Sequence, residues 1–154
     1  MRRAVGIAAS LLLLGATPES KPKIAAIEVR FFDPEKGDFT GDVLNKEGLY
    51  AGWNTFLREG NGGVVRGDAL VLVKVELPDW SNRSFVIDGP LTITARNGKK
   101  VVAHRVFTRI DLLDSKIVSR ALYLPDIGCT GEIVISAALA GQTKKARTIM
   151  SCGE

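Results

Sequence analysis

Apolar and polar side chains alternate along most of the chain beyond its first twenty residues, and a period of two is the period of a strand. Ile24 to Phe32 is rich in β-branched and aromatic residues and stops at Asp33-Pro34, which predicts a first strand. Asp33 to Gly48 mixes acidic residues, glycines and a proline without a period and reads as a long surface connection. Leu49 to Leu57 alternates loosely and fits a strand or a single helical turn. Ala69 to Leu77 is the clearest strand. Leu70 and Leu72 lie on one face and Ala69, Val71, Val73 and Val75 on the other, so a central, covered position is expected, with Lys74 and Glu76 at the emerging end.

Leu91 to Arg96 and Lys99 to Phe107 flank Asn97-Gly98, a dipeptide that supplies the positive φ angles of a type I′ turn and so predicts a hairpin. Lys116 to Leu124 alternates again and ends at Pro125, and Glu132 to Leu139 and Thr143 to Cys152 flank a short turn at Ala140 to Gln142. Short strands separated by turn signals about every 8 to 12 residues, with no sustained helical period, predict an all-β, antiparallel β-sandwich of seven to eight strands. The pattern resembles immunoglobulin-like or similar Greek-key sandwiches in architecture alone, because the Cys, Trp, Cys order of antibody domains is absent.

Met1, Arg2 and Arg3 precede an uncharged run from Ala4 to Pro18 whose most apolar part is Leu11 to Leu14. A short basic segment before an apolar run too brief to cross a core of ~30 Å is the layout of a secretory signal. Residues 1–20 are therefore expected to be a signal peptide cut between Ala16 and Ser20, and residues 21–154 a single exported domain, periplasmic or extracellular, without a transmembrane anchor. No cysteine follows the apolar run to take a lipid.

In that compartment the two cysteines gain meaning. With a two-residue turn at Ala140-Gly141, facing residues sum to 281, and Cys129 and Cys152 satisfy that sum while sharing a face with Ile133, Ile135 and Ala137. One structural disulfide is expected, worth roughly 3 kcal/mol by loop closure. A composition of 45% hydrophobic and 25% charged residues is that of a globular domain. Arg2 and Arg3 are among the 21 basic residues behind the net charge of +4, and so modest a total does not argue for a polyanion. Its distribution matters more: residues 21–80 hold 8 basic against 10 acidic side chains, and residues 81–154 hold 11 against 6.

Candidate chemistry is sparse. His104 is the lone histidine, no Gly-x-Ser-x-Gly elbow occurs, and a zinc site would lack ligands, so no catalytic residue is assigned. Asp33, Glu35, Asp38 and Asp42 form a hard-oxygen cluster of the kind calcium accepts, though not at helix-loop-helix spacing; calcium is the one cofactor weighed. Arg66-Gly67-Asp68 matches an adhesion tripeptide but is explained as a turn, and Asn82-Arg83-Ser84 is a glycosylation sequon. Trp53 and Trp80, flanked by glycine or polar residues, and the basic residues Arg96, Lys99, Lys100 and Arg105, joined by Arg109, Lys144, Lys145 and Arg147, are the candidate ligand-binding positions. A positive face of this kind suits an envelope protein or an anionic polysaccharide or lipid. Too few aromatics accompany it to stack nucleic-acid bases. The expectation is a non-enzymatic binding or accessory domain. The rival is a secreted carboxylate-dependent hydrolase or lyase, calcium-assisted and built on the acidic loop.

Overall fold

The computed structural model describes residues 21–33, 36–44, 67–78, 85–127 and 130–150. Every described element is a strand: β1 (Lys23–Asp33), β2 (Asp38–Phe39), β3 (Ala69–Glu76), β4 (Phe85–Asn97), β5 (Lys100–Leu112), β6 (Ile117–Leu124), β7 (Gly131–Leu139) and β8 (Gln142–Met150). They form two antiparallel four-stranded sheets, ordered β2-β1-β3-β6 and β5-β4-β7-β8. The chain is thus all-β and antiparallel.

Alternation decides what is buried. In β3, Ala69, Val71, Val73 and Val75 are fully buried, while Leu70, Leu72, Lys74 and Glu76 are only half covered. The strand is central, between β1 and β6, but only one of its faces is fully covered. Val29 and Phe31 of β1, Leu91 and Ile93 of β4, Ile110 and Leu112 of β5, and Ile133 and Ile135 of β7 join the same hydrophobic cluster, so the two sheets share one core.

Three sequence expectations need correction here. The connection after β1 is not wholly irregular: Asp33 pairs with Asp38 and Phe32 with Phe39, and Val43 is buried. Second, β4 begins at Phe85, six residues before the expected start at Leu91, and runs through Gly89-Pro90. The β4–β5 register shifts between Asp88 and Leu91, and Gly89 takes a φ of 136°. A bulge tolerates both a glycine angle and a proline without its N–H, so the strand passes through. Third, the hairpin turns one residue later than expected. Asn97 pairs with Lys100, leaving Gly98-Lys99 as the loop, and of those two only Gly98 has positive φ (53°). One positive angle at the first loop position is what a type II′ turn needs, so glycine rather than asparagine decides this turn.

The β7–β8 turn falls as the sequence predicts. Leu139 pairs with Gln142, and the sum of 281 holds along the ladder to Gly131 and Met150. Ala140 and Gly141 both take positive φ, 48° and 77°, as a type I′ turn demands.

Candidate functional site

Sheet β5-β4-β7-β8 buries Ile93, Ala95, Ile133, Ile135 and Ala137 on one face, and strand alternation therefore sends their neighbours outward. The register lines those neighbours up in rows across four strands. One row runs Val106, Thr92, Ala138, Thr143; the next runs His104, Thr94, Ser136, Lys145; the third runs Val101, Arg96, Val134, Arg147. Rows lie about 6.8 Å apart along the strands and neighbouring strands about 4.8 Å apart. Arg96 and Arg147, with β7 between them, are thus about 10 Å apart at the backbone.

The face is a floor of hydroxyls and small side chains with cations standing on it. Thr92, Thr94, Ser136 and Ala138 are half covered, whereas Arg96, His104, Lys145 and Arg147 are exposed. Thr94 Oγ1 lies 3.0 Å from His104 Nδ1, and Arg96 Nη1 donates to the Lys99 carbonyl at 3.2 Å. These three rows contain no carboxylate. Glu132 stands in the next row beside Ile149 and meets Arg147 at 3.4 Å, both side chains being at least half exposed. Such a pair is worth little and leaves the guanidinium available. Val101, Val106 and Ile149, each 44–47% exposed, line the two margins.

The opposite sheet treats its charges differently. Glu28 is met by Lys74 and Arg30, and Glu76 by Lys23 at 3.3 Å and Lys116 at 3.5 Å. The bonded Lys74 ammonium, with Arg30, holds the Glu28 carboxyl below its ordinary range against the opposing effect of burial. Charge on that sheet is largely paired; on β5-β4-β7-β8 the cations are in excess.

The basic residues singled out from the sequence do not all converge. Arg105 lies on the other side of β5 from His104. It donates to the Ala121 carbonyl of β6 at 3.2 Å, and its guanidinium sits 4.6 Å from the Phe107 ring centroid. Lys144 likewise donates to the Ala25 carbonyl of β1 at 2.6 Å. Both cations tie an edge of one sheet to an edge of the other. Lys99 and Lys100 sit at the hairpin tip, and Arg109 pairs with Asp111 at 2.8 Å. Arg96, Lys145 and Arg147 remain on the common face.

The acidic loop is likewise used structurally. Asp33 pairs with the Lys36 ammonium at 3.0 Å and accepts from the Lys36 N–H at 3.2 Å, and Asp38 accepts from the Phe39 N–H at 2.7 Å. Asp42 Oδ1 accepts from the N–H groups of Val29 (2.9 Å) and Leu44 (3.1 Å). Val29 lies four residues from Asp33 along β1, about 13 Å at strand rise, so Asp33 and Asp42 do not converge on one ion. Among the described residues no group of three His, Cys, Asp or Glu side chains is placed to hold a metal. Asp68, from the adhesion-like tripeptide, accepts from the Tyr123 hydroxyl and from the Asp126 N–H at 2.9 Å, contacts that lower its pKa and raise that of Tyr123. Glu35, Trp53, Trp80, Arg66, the sequon and both cysteines lie outside the described residues.

Sequence reasoning missed the hydroxyl floor. Ser136, Lys145 and Arg147 follow from the β7–β8 turn, but Thr94 and His104 join them only because β4 pairs with β7, with β5 and β6 between them in sequence.

The fold and face define an all-β antiparallel protein with a cationic, hydroxyl-floored sheet surface. No known family matches the chain, and no curated protein matches it. Among solved structures, the ligand binding region of Serine-glutamate repeat protein A (SgrA) of Enterococcus faecium is similar at 8% identity, covering 55% of this chain and 83% of that one, with a TM-score of 0.32.

Proposed function

We propose that this chain is an exported, non-enzymatic binding or accessory domain: a β-sandwich, immunoglobulin-like or of similar Greek-key build, closed by a Cys129–Cys152 disulfide. It engages an anionic partner through the outward face of β5-β4-β7-β8. The observation that carries the reading is the cross-strand register, which brings Arg96, Lys145 and Arg147 onto one surface with no carboxylate in their rows. The shared core of two sheets supports the sandwich. The sum of 281, kept up to Gly131 and Met150, supports the disulfide two residues further on. The hydrolase reading has no comparable support, since Asp33 and Asp42 already serve the loop and the β1 edge.

The test is salt-dependent retention on immobilised dextran sulfate. The parent should elute at clearly higher salt than R96A/K145A/R147A, because each cation that neutralises a fixed anion steepens the salt dependence. Co-elution of the two proteins, with unchanged circular dichroism, would refute the face as a binding surface.

A further inference from the structure

A face that held anions by charge alone would need only its cations, yet this one sets hydroxyls between them. Thr94 and Ser136 are neighbours in one row, on adjacent strands, with Lys145 completing it. Arg96 and Arg147 stand one row away with Val134 between. Guanidinium groups recognise planar carboxylate or sulfate by paired N–H donors, and a hydroxyl both donates and accepts. A ligand that uses all of them carries anionic groups at intervals and hydroxyls in between.

We infer that the anionic partner is an acidic polysaccharide lying across the strands, its carboxylate or sulfate groups on Arg96, Lys145 and Arg147 and its hydroxyls on Thr94 and Ser136. This rests on the face being the binding surface. The side chains also separate a glycan from the other anionic partners. A lipid surface favours protruding aromatic rings, and these rows contain none. An acidic peptide offers carboxylates but few hydroxyls for the floor. Val101 and Val106 at one margin and Ile149 at the other give the C–H faces of sugar rings apolar contact.

The full chain, two variants and four probes decide it. The probes are polygalacturonate, poly-L-glutamate matched in charge, phosphatidylglycerol vesicles and neutral dextran. T94V/S136A removes the hydroxyls and keeps the charges, the strand propensity and the outward position. R96Q/K145Q/R147Q does the converse. Polygalacturonate should bind at least about tenfold more tightly than poly-L-glutamate, and T94V/S136A should erase most of that margin, as expected for two hydrogen bonds of about 1 kcal/mol each. The charge variant should lose both ligands. Equal binding of polygalacturonate and poly-L-glutamate, preference for vesicles, or a hydroxyl variant that binds as the parent does would overturn the polysaccharide while leaving the cationic face standing. Retention of no polyanion at all would overturn both readings.

Discussion

Replacing Asp42 by alanine tests whether the acidic loop is an edge cap or a ligand set. β1 borders β3 on one side, and on the other, among the described residues, its ladder partner is the two-residue β2, continued by backbone bonds from Thr40 to Phe31 and from Val43 to Val29. Beyond β2 the segment runs on beside β1, where Thr40 Oγ1 accepts from the Phe31 N–H at 2.9 Å and Asp42 Oδ1 from the Val29 N–H at 2.9 Å. Side-chain oxygens thus accept from N–H groups that a neighbouring strand's carbonyls would otherwise bond. Val29 is fully buried, so its N–H, stripped of Asp42, has little access to water. An unpaired buried donor costs about 1–3 kcal/mol, and the Leu44 bond to the same oxygen is lost as well. D42A should therefore destabilise by about 2–3 kcal/mol, or roughly 6–9 °C in melting temperature for a domain of this size. D42N keeps an acceptor oxygen and should cost less than half as much.

Thermal unfolding followed by circular dichroism reads both variants, and hydrogen exchange at the Val29 amide reports the edge directly. Exchange there should accelerate in D42A more than at Val71 or Val73 in the centre of the sheet. Calcium supplies the contrast: were Asp42 a metal ligand, millimolar calcium would raise the melting point of the parent by mass action and leave D42A unmoved. Equal stability of D42A and the parent, or calcium stabilisation abolished by D42A, would refute the edge-cap reasoning.

The other predictions follow from separate contacts. R105A and K144A should each lower the unfolding free energy modestly, by about 1 kcal/mol, read as a lower urea midpoint, since each removes a charge-assisted bond between sheet edges at an exposed site; an unchanged midpoint in both would mean the edges hold without them. Glu28 and Asp68 titrate lower in the folded chain than their ordinary values of 4.5 and 3.8, so the unfolded chain binds more protons as pH falls. The stability they contribute is complete above those values and lost on acidification through the lower folded ones. E28Q should flatten that acid limb in urea titrations, and an identical limb would count against the Lys74–Glu28–Arg30 network. Tyr123, raised above 10.0 by the Asp68 carboxylate, should withdraw stability only as pH climbs past that value. Intact mass of the exported form should be that of a closed cystine, and C129S/C152S should cost about 3 kcal/mol; two free thiols would refute the bridge.

What could be read from the sequence was local. The strand ending at Asp33, the inward set of β3 and the β7–β8 register each depend on neighbours a few residues apart, and alternation settles them. The first residues of β4 were not legible, because a Gly-Pro dipeptide such as Gly89-Pro90 serves a turn or a bulge, and only the β5 partner decides between them. Arg105 misled for a subtler reason. Adjacent strand residues point to opposite faces, so Arg105 and His104 could never share one, but which face is outward depends on the partner strand. The bulge that leaves Val102 unpaired shifts that parity between Val101 and Ala103. The site itself required the β4–β7 pairing, a long-range choice made by the core and not by any turn.

The same charge serves two purposes in this fold, and strand parity separates them. A sheet edge exposes unpaired carbonyls, and a long cation whose strand turns it toward the other sheet can bond one, as Arg105 does at Ala121 and Lys144 at Ala25. Once bonded, that cation holds the sheets together and adds little to an outward field. Lys145, one residue after Lys144, has the opposite parity and stands on the open face beside Ser136. Two adjacent lysines, chemically identical, are thus assigned one to architecture and one to recognition. It follows that K144A should shift the unfolding transition without moving elution from dextran sulfate, whereas K145A should move elution without shifting the transition. A reversal of that pattern would undo the separation and, with it, the assignment of the binding face.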